Sequence, residues 1–280
     1  MLKDSSKRSS MRSFYLFQRS LKKVANHDSL KQKSDDKLTQ SNKNFGGPAR
    51  VILSAFVVFS LSQVLALVLI ETGFHIFHGG TKISLDQSAA AQFIYILLAE
   101  AAVIGSVVWL VRRRGLKLAA IGLGRRIKWW DIIWAAIGSV AFYGLLIIVT
   151  VILTALTGFN ANAPQDVGFN VLSTPTDRLI ALIALVILPP LGEEILMRGY
   201  LYSGLRARLR FWPAMVITSL LFGIAHLSTG ANGALWVAGV DTFLLSFVLV
   251  ALRERTGALY APIMVHGLNN LVAFFSHFHG

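Results

Sequence analysis

Seven long apolar segments run through most of this 280-residue chain and constrain its fold more than any other feature. Each is close to the roughly 20 residues that an α-helix needs to cross the hydrocarbon core of a bilayer. Backbone polar groups inside a bilayer must be satisfied within the protein, so such segments are helical. The pattern predicts an all-α, polytopic transmembrane helical bundle with about seven spans. The segments are Val51–Ile70, Ala90–Leu110, Ile132–Leu156, Leu179 to about Tyr200, Trp212–Leu227, Ala234–Leu252 and Ala258–Phe278.

Basic residues are concentrated where a membrane protein faces the cytoplasm. The net charge is +13, and residues 1–50 hold 12 Lys and Arg against 4 Asp and Glu. Further basic clusters fall in alternate loops, which is the positive-inside pattern of a chain whose N-terminus is cytoplasmic. We therefore expect a multi-pass protein of the cell membrane, in contact with membrane lipids, with its N-terminus inside and its C-terminus outside.

The composition also predicts three regions. Residues 1–50 are polar and basic, with few apolar residues after Phe17, so we expect a disordered cytoplasmic tail. Residues 51–178 would form the N-terminal transmembrane helices, and residues 179–280 the helical core that carries the catalytic motifs described below. The tail has no nucleic-acid-binding motif, and no strand precedes the glycines of Gly122–Arg126. We therefore expect neither nucleic acid nor a nucleotide as a partner.

A few ionisable side chains interrupt the spans. Each charged side chain at the centre of a spanning helix costs about 2.5–3.5 kcal/mol on insertion scales, so such residues mark a functional site by default. The chain contains no cysteine, which excludes a thiol nucleophile and a Cys-ligated metal. The ionisable residues within the spans are Glu100, Glu193, Glu194, Arg198, His226, Asp241 and His266.

The densest of these groups follows two prolines, Pro189 and Pro190, which interrupt a helix because they lack an N–H. Glu194 and Arg198 are four residues apart with the acid first, the favourable order for an ion pair on one helix face. Glu193 points about 100° away from that face and lacks this partner. We interpret Glu193 as a chemical base and the other two residues as its structural brace. The alternative is a buried ion-pair network that only holds helices together.

Two later segments supply the remaining polar groups. His226 ends one apolar segment, and His266 shares a helix face with Asn270 in the last one. With Glu193 they provide a carboxylate base, a second proton-handling group and hydrogen-bond donors. These are the parts of a hydrolytic site in which an activated water attacks a peptide carbonyl.

Three motifs in this order resemble those of the CAAX-protease and bacteriocin-processing (CPBP or Abi) family of intramembrane peptidases, which is related to the type II CAAX prenyl endopeptidases. They are Glu-Glu-x-x-x-Arg at residues 193–198, Phe-x-x-x-His at residues 222–226 and His-x-x-x-Asn at residues 266–270. The resemblance covers about residues 179–275. Members often carry Phe where Met197 stands, an apolar exchange that we expect to alter packing more than chemistry.

The resemblance implies an intramembrane endopeptidase that hydrolyses a membrane-associated or lipidated peptide of the CAAX or bacteriocin type. By similarity, Glu193 and His226 activate the water. His266 and Asn270 stabilise the tetrahedral oxyanion. The residues implied as structural support are Glu194, Arg198 and Phe222.

The resemblance also raises the question of whether the site binds a metal ion, because members of the family are described as metalloproteases. A catalytic zinc takes three protein ligands and keeps one position open. Glu193, His226 and His266 are the candidates. The chain has no His-Glu-x-x-His segment, and the histidines can act as acid and hydrogen-bond donors without an ion. The residues favour a metal-free, glutamate-activated water, with zinc as the alternative.

Two further acids have a less specific interpretation. Asp241 could orient His226 or His266 through a hydrogen bond, as carboxylates often do, or could simply stabilise the bundle. Glu100 is far from the motifs in sequence, and we expect a structural or topological role. The rival hypothesis for the whole chain is a non-catalytic scaffold or bacteriocin-immunity partner. A proton-coupled transporter is less favoured because the chain shows no obvious inverted repeat.

Overall fold

The structure is a computed structural model that describes residues 44–77, 85–161, 168–230 and 233–278. The predicted all-α class is confirmed, because helices account for nearly all regular structure in these ranges. In chain order the helices are α1 (Pro48–Phe77), α2 (Ala89–Arg113), α3 (Trp129–Thr157), α4 (Pro175–Val186), α5 (Leu188–Glu194), α6 (Ser203–Arg206), α7 (Phe211–Ala225), α8 (Trp236–Thr256) and α9 (Tyr260–Phe278).

Three smaller kinds of element complete the described regions. A π-helical segment, Ile195–Tyr202, connects α5 to α6. Short 3-10 helices lie at Leu85–Gln87 and Leu118–Ile121. Strands β1 (Ser228–Gly230) and β2 (Gly233–Leu235) pair antiparallel between α7 and α8, with Ser228 opposite Leu235.

Within the described ranges, five helical segments are long and apolar enough to cross a membrane: Pro48–Ile76, Ala89–Arg113, Trp129–Thr157, Pro175–Arg206 and Trp236–Thr256. The other two predicted segments correspond to α7, an apolar helix of 15 residues, and to α9, a helix of 19 residues. All seven apolar segments are thus helical, and the chain is an integral membrane protein with several spans. The fourth span, Pro175–Arg206, carries the Glu-Glu-x-x-x-Arg motif and is called the motif helix below.

Ordered packing starts before the predicted end of the tail at residue 50. Helix α1 begins at Pro48, and the Phe45 ring just before it is buried with its centroid 6.3 Å from that of Tyr200. The Phe45 carbonyl also accepts a hydrogen bond of 2.7 Å from Arg114. The last residues of the predicted tail therefore pack against the bundle. Residues 1–43 lie outside the described residues.

Pro189 and Pro190 interrupt the backbone hydrogen bonding of the motif helix, and a side chain of α9 replaces one of the lost bonds. Pro189 has no N–H, so the Leu185 carbonyl one turn earlier loses its helical partner. The Asn270 side-chain amide of α9 donates to this carbonyl at 2.9 Å. A buried carbonyl without a partner is costly, particularly in a membrane. The bond therefore fixes α9 against the motif helix at the turn that precedes Glu193.

Helix α9 approaches the same break closely at a second point. The Val186 carbonyl loses its helical partner to Pro190 in the same way. A Cβ at Gly267 would lie 3.2 Å from the Val186 oxygen, so a larger residue there would push the two helices apart. Helices α1, α2, α7 and α8 also contact the motif helix. The site residues consequently lie near the centre of the bundle.

Candidate active site

Glu194 is fully buried and joins two helices. Its Oε1 accepts a hydrogen bond of 2.6 Å from Arg198 Nη1 and another of 2.9 Å from His266 Nδ1. Both Glu194 and Arg198 have no exposed surface. The structure thus contains the ion pair that the spacing predicts. The link to His266 was missed, because no pattern within one helix indicates which residue of another helix will face it.

The two imidazole rings are held in a defined orientation. The His226 Nδ1 atom lies 2.8 Å from the Phe222 carbonyl, and a carbonyl only accepts, so this nitrogen carries the proton. The His266 Nδ1 atom likewise donates to the carboxylate of Glu194. Since each Nδ1 is engaged, Nε2 is the free atom of each ring. Both Nε2 atoms lie 3.9 Å from Glu193 Oε2.

A separation of 3.9 Å indicates what can lie between these atoms. It is too long for a direct hydrogen bond. One water oxygen, bonded at about 2.8 Å to a ring nitrogen and to the carboxylate, places them about 4.0–4.6 Å apart, depending on the angle at the water. Two ligands of a tetrahedral zinc would be closer, about 3.4 Å apart. Among the described residues no group of three or more His, Cys, Asp or Glu side chains could hold a metal ion. The spacing leaves room for one water between Glu193 and each imidazole.

Phe222 packs between the ion pair and the histidines. The Arg198 guanidinium carbon lies 4.3 Å from the centre of its ring. The same ring is 4.5 Å from the His226 ring and meets the His266 ring edge to face at 5.8 Å. An aromatic face stabilises a desolvated guanidinium, so this contact supplies part of what water would give Arg198. Phe222 thus contacts the arginine and both histidines, and its role as structural support stays a prediction.

The site opens into an apolar cavity of about 520 Å³. Glu193 and His226 lie in its wall, with 21% and 32% of their side chains exposed, whereas His266 is 5% exposed. The rest of the lining is apolar. It comes from α1, the motif helix and α7, and includes Ile52, Phe56, Phe59, Leu196, Met197 and Leu221. Met197, where the sequence departs from the family pattern, is thus part of the cavity wall.

Asn270 and Asp241 each have a hydrogen-bond partner that the sequence did not indicate. One N–H of the Asn270 amide is taken by the Leu185 carbonyl, and a primary amide has a second N–H. Asp241 interacts electrostatically with His226 and His266, but its side-chain hydrogen bond is to Asn269. The Nδ1 partners of the two rings are the Phe222 carbonyl and Glu194. Of the two alternatives for Asp241, its hydrogen bond to Asn269 favours stabilisation of the bundle over direct orientation of a histidine.

The link between Asn270 and the break in the motif helix has a measurable consequence. We expect Asn270→Ala to lower the free energy of unfolding by about 1–3 kcal/mol, because the Leu185 carbonyl is left without a partner. In a Pro189→Ala background the residue at 189 has an N–H that can satisfy this carbonyl, so the same change should cost less. A double-mutant cycle by thermal unfolding in detergent measures the difference. Equal costs in the two backgrounds would contradict the assignment.

Glu100 is a site residue that sequence reasoning placed elsewhere. It lies on α2, and its carboxylate packs against Gly192, the residue before Glu193. The available signal was an ionisable group within an apolar span, which is a functional-site indication in itself. Glu100 is far from the motif in sequence, so spacing along the chain gave no indication of this contact.

Comparison with known proteins gives the same assignment as the motifs. Residues 175–272 match the family model described as type II CAAX prenyl endopeptidase Rce1-like. An uncharacterised 24.3 kDa protein of Escherichia coli is 35% identical over 92 residues, which is 32% of this chain. The chain covers 41% of the length of that relative. No solved structure matches. The family match spans the motif helix, both histidines and Asn270, so this part of the chain is similar to the Rce1-like type II CAAX prenyl endopeptidases.

Proposed function

We propose that the chain is an intramembrane endopeptidase that hydrolyses a peptide bond with a glutamate-activated water. The observation that carries the proposal is the convergence of three groups: Oε2 of Glu193 lies 3.9 Å from Nε2 of both His226 and His266. A water between them would donate to the carboxylate and lie beside two imidazoles. The second buried acid, Glu194, is occupied by Arg198 and His266, which leaves Glu193 as the free base.

The proposed reaction begins when Glu193 takes a proton from the water and the water oxygen bonds to the carbonyl carbon. The oxyanion that forms needs hydrogen-bond donors. Nε2 of His266, once it carries a proton, is one donor, and the second N–H of Asn270 is the other. The C–N bond then breaks. The proton held by Glu193 passes to the leaving nitrogen, with His226 Nε2 as the relay.

The rate enhancement that amide hydrolysis needs requires these groups to act together. General base catalysis contributes about 10²- to 10⁴-fold, and one oxyanion donor about 10²- to 10³-fold. Neither range alone is large enough for an amide. The fixed orientation of the rings supports the proposal, because both Nδ1 atoms are anchored and both Nε2 atoms are presented to one place.

The cavity beside Glu193 supports an apolar substrate. Its wall is formed almost entirely by aliphatic and aromatic side chains, and of the described residues only Glu193 and His226 bring polar groups to it. An apolar side chain or lipid chain next to the scissile bond would be buried there, at about 25 cal/mol per Å² removed from water. We therefore propose a membrane-associated or lipidated peptide as the substrate. The prenyl endopeptidase description of the matched family favours the lipidated form.

The direct test is hydrolysis by the purified protein in lipid vesicles. Two matched peptides, one prenylated and one unmodified, are incubated in heavy-oxygen water, and the products are examined by mass spectrometry. We expect one labelled oxygen in the new carboxyl terminus, more product from the prenylated peptide, and activity that survives a chelator. Absence of product from both peptides would contradict the peptidase. Loss of activity on chelation, with recovery on adding zinc, would contradict the metal-free mechanism.

A further inference from the structure

Glu100 lies in the interior of the bundle against the segment that carries the catalytic base. Glu100 is buried, with 9% of its surface exposed, although it is an acid on a membrane-spanning helix. A Cβ built on Gly192 would overlap Glu100 Oε2, so the carboxyl oxygen fills the space that a side chain at this position would need. Gly192 immediately precedes Glu193. Glu100 is therefore a third glutamate at the site, supplied by α2.

No cation balances this acid among the residues that the structure describes. Glu100 Oε2 has no hydrogen-bond partner there. The nearby arginine of the motif helix, Arg198, is bound to Glu194. The groups that interact electrostatically with Glu100 are Glu193, an acid, and Tyr95, whose hydroxyl donates to Gln63. Glu100 thus faces a carboxylate and a phenol.

The charges around Glu193 determine which acid can be ionised. The charged and titratable groups that pack around it are Glu194 and Arg198 on its own helix, His226 beside α7, His266 on α9 and Glu100 on α2. The first two form an ion pair with each other. Two carboxylates that lie close together in an apolar interior do not both ionise, so one of them keeps its proton. Glu193 borders the cavity and faces two imidazoles, whereas Glu100 has neither advantage.

We propose that Glu100 is a protonated, neutral carboxylic acid that positions the Gly192–Glu193 segment and leaves Glu193 as the single unpaired carboxylate of the site. Its role in catalysis acts through Glu193, so Glu100 is a positioning residue. This consequence for catalysis depends on the proposed peptidase function. The protonation of Glu100 does not depend on that function, because it follows from the burial of Glu100 and from the charges nearby.

Infrared difference spectroscopy tests the protonation without any substrate. At neutral pH the wild-type protein should show the carbonyl stretch of a buried protonated carboxylic acid, and Glu100→Gln should lack this band. Glu71, an exposed residue of α1, provides the matched control, since Glu71→Gln should leave the band unchanged. A band that persists in Glu100→Gln, or that is absent from the wild type, would overturn the proposal.

Cleavage kinetics test the positioning. Glu100→Ala should lower kcat by about 10- to 10²-fold with little change in KM, because a small displacement of the base is enough for such a loss. Glu100→Gln is neutral and has nearly the same shape, so it should restore most of the activity. A Glu100→Gln variant as inactive as Glu100→Ala would show that the charge is needed and refute the proposal. If the wild type cleaves nothing, the peptidase proposal fails and the infrared result still decides the protonation.

The contact with Gly192 gives a reciprocal test. Gly192→Ala should lower both stability and kcat, because its Cβ would overlap the Glu100 carboxyl. In a Glu100→Ala background the space is open, and Gly192→Ala should then cost less than in the wild type. Equal losses in the two backgrounds would contradict the contact, whatever the reaction catalysed.

Discussion

Replacing Glu193 by Gln is expected to lower kcat/KM for peptide cleavage by about 10²- to 10⁴-fold, the range that a general base contributes. The amide has nearly the same shape as the carboxylate but cannot take a proton from water. Glu193 Oε2 accepts no hydrogen bond from the described residues, so no partner loses a bond in the exchange. The variant should therefore fold and insert normally, with an unchanged Tm. Vesicle cleavage assays and thermal unfolding measure the two properties.

The matched control for this variant is Glu71→Gln, which makes the same chemical change on an exposed part of α1. It should leave cleavage unaffected. Full cleavage by Glu193→Gln would remove Glu193 from the mechanism. The experiment also separates a peptidase from a scaffold. A scaffold that needs only the shape of the site should keep its cellular phenotype in Glu193→Gln, whereas a peptidase should lose it together with cleavage.

Replacing Arg198 by Met is expected to have the largest effect on stability, about 3–5 kcal/mol, the cost of breaking a buried ion pair by removing one partner. Glu194 and Arg198 are both fully buried, so water cannot replace the lost guanidinium. The Glu194 carboxylate would keep only its hydrogen bond to His266. The Phe222 ring would also lose the guanidinium that lies over it. Denaturant or thermal unfolding in detergent, together with the yield of folded protein, measures the effect.

Two control variants test whether the cost of Arg198→Met arises from the burial of the ion pair. Arg206→Met breaks an ion pair of the same motif helix with Glu254, but both side chains are more than a third exposed, so the cost should be about 0–1 kcal/mol. In the double variant Glu194→Gln/Arg198→Met no unpaired charge remains, and much of the stability should return. If the Arg198→Met protein were as stable as the Arg206→Met protein, the Glu194–Arg198 ion pair would not be a structural brace.

The sequence was sufficient for the features that depend on spacing along one helix. Hydropathy located all seven helical segments, because an apolar run long enough to cross a bilayer has few other structures open to it. The four-residue interval between Glu194 and Arg198 predicted their ion pair, which the structure contains. The ordered motifs predicted the family that the comparison then matched. Such features need no knowledge of how one helix is rotated against the next.

The contacts between helices could not be predicted in this way. Nothing near Glu194 in sequence indicates that His266 donates to it, and nothing near Glu100 indicates that it lies against Gly192. Each contact depends on the rotation and depth of a helix in the bundle, which many distant side chains determine together. For the same reason the motif His-x-x-x-Asn placed Asn270 on the correct face but gave no sign of its bond to Leu185.

The bond from Asn270 to Leu185 also bears on how the protein is made. Helix α9 leaves the ribosome after the motif helix, and until it arrives the Leu185 carbonyl at the proline break has no donor from the Asn270 side chain. A backbone group left unsatisfied in hydrocarbon costs several kcal/mol, so the motif helix is incomplete as a membrane span until then. Helix α9 also brings His266 to Glu194. Assembly of the proposed site therefore depends on synthesis of α9, and a protein synthesised only as far as α8 would have Glu193 in the membrane without its partners on α9.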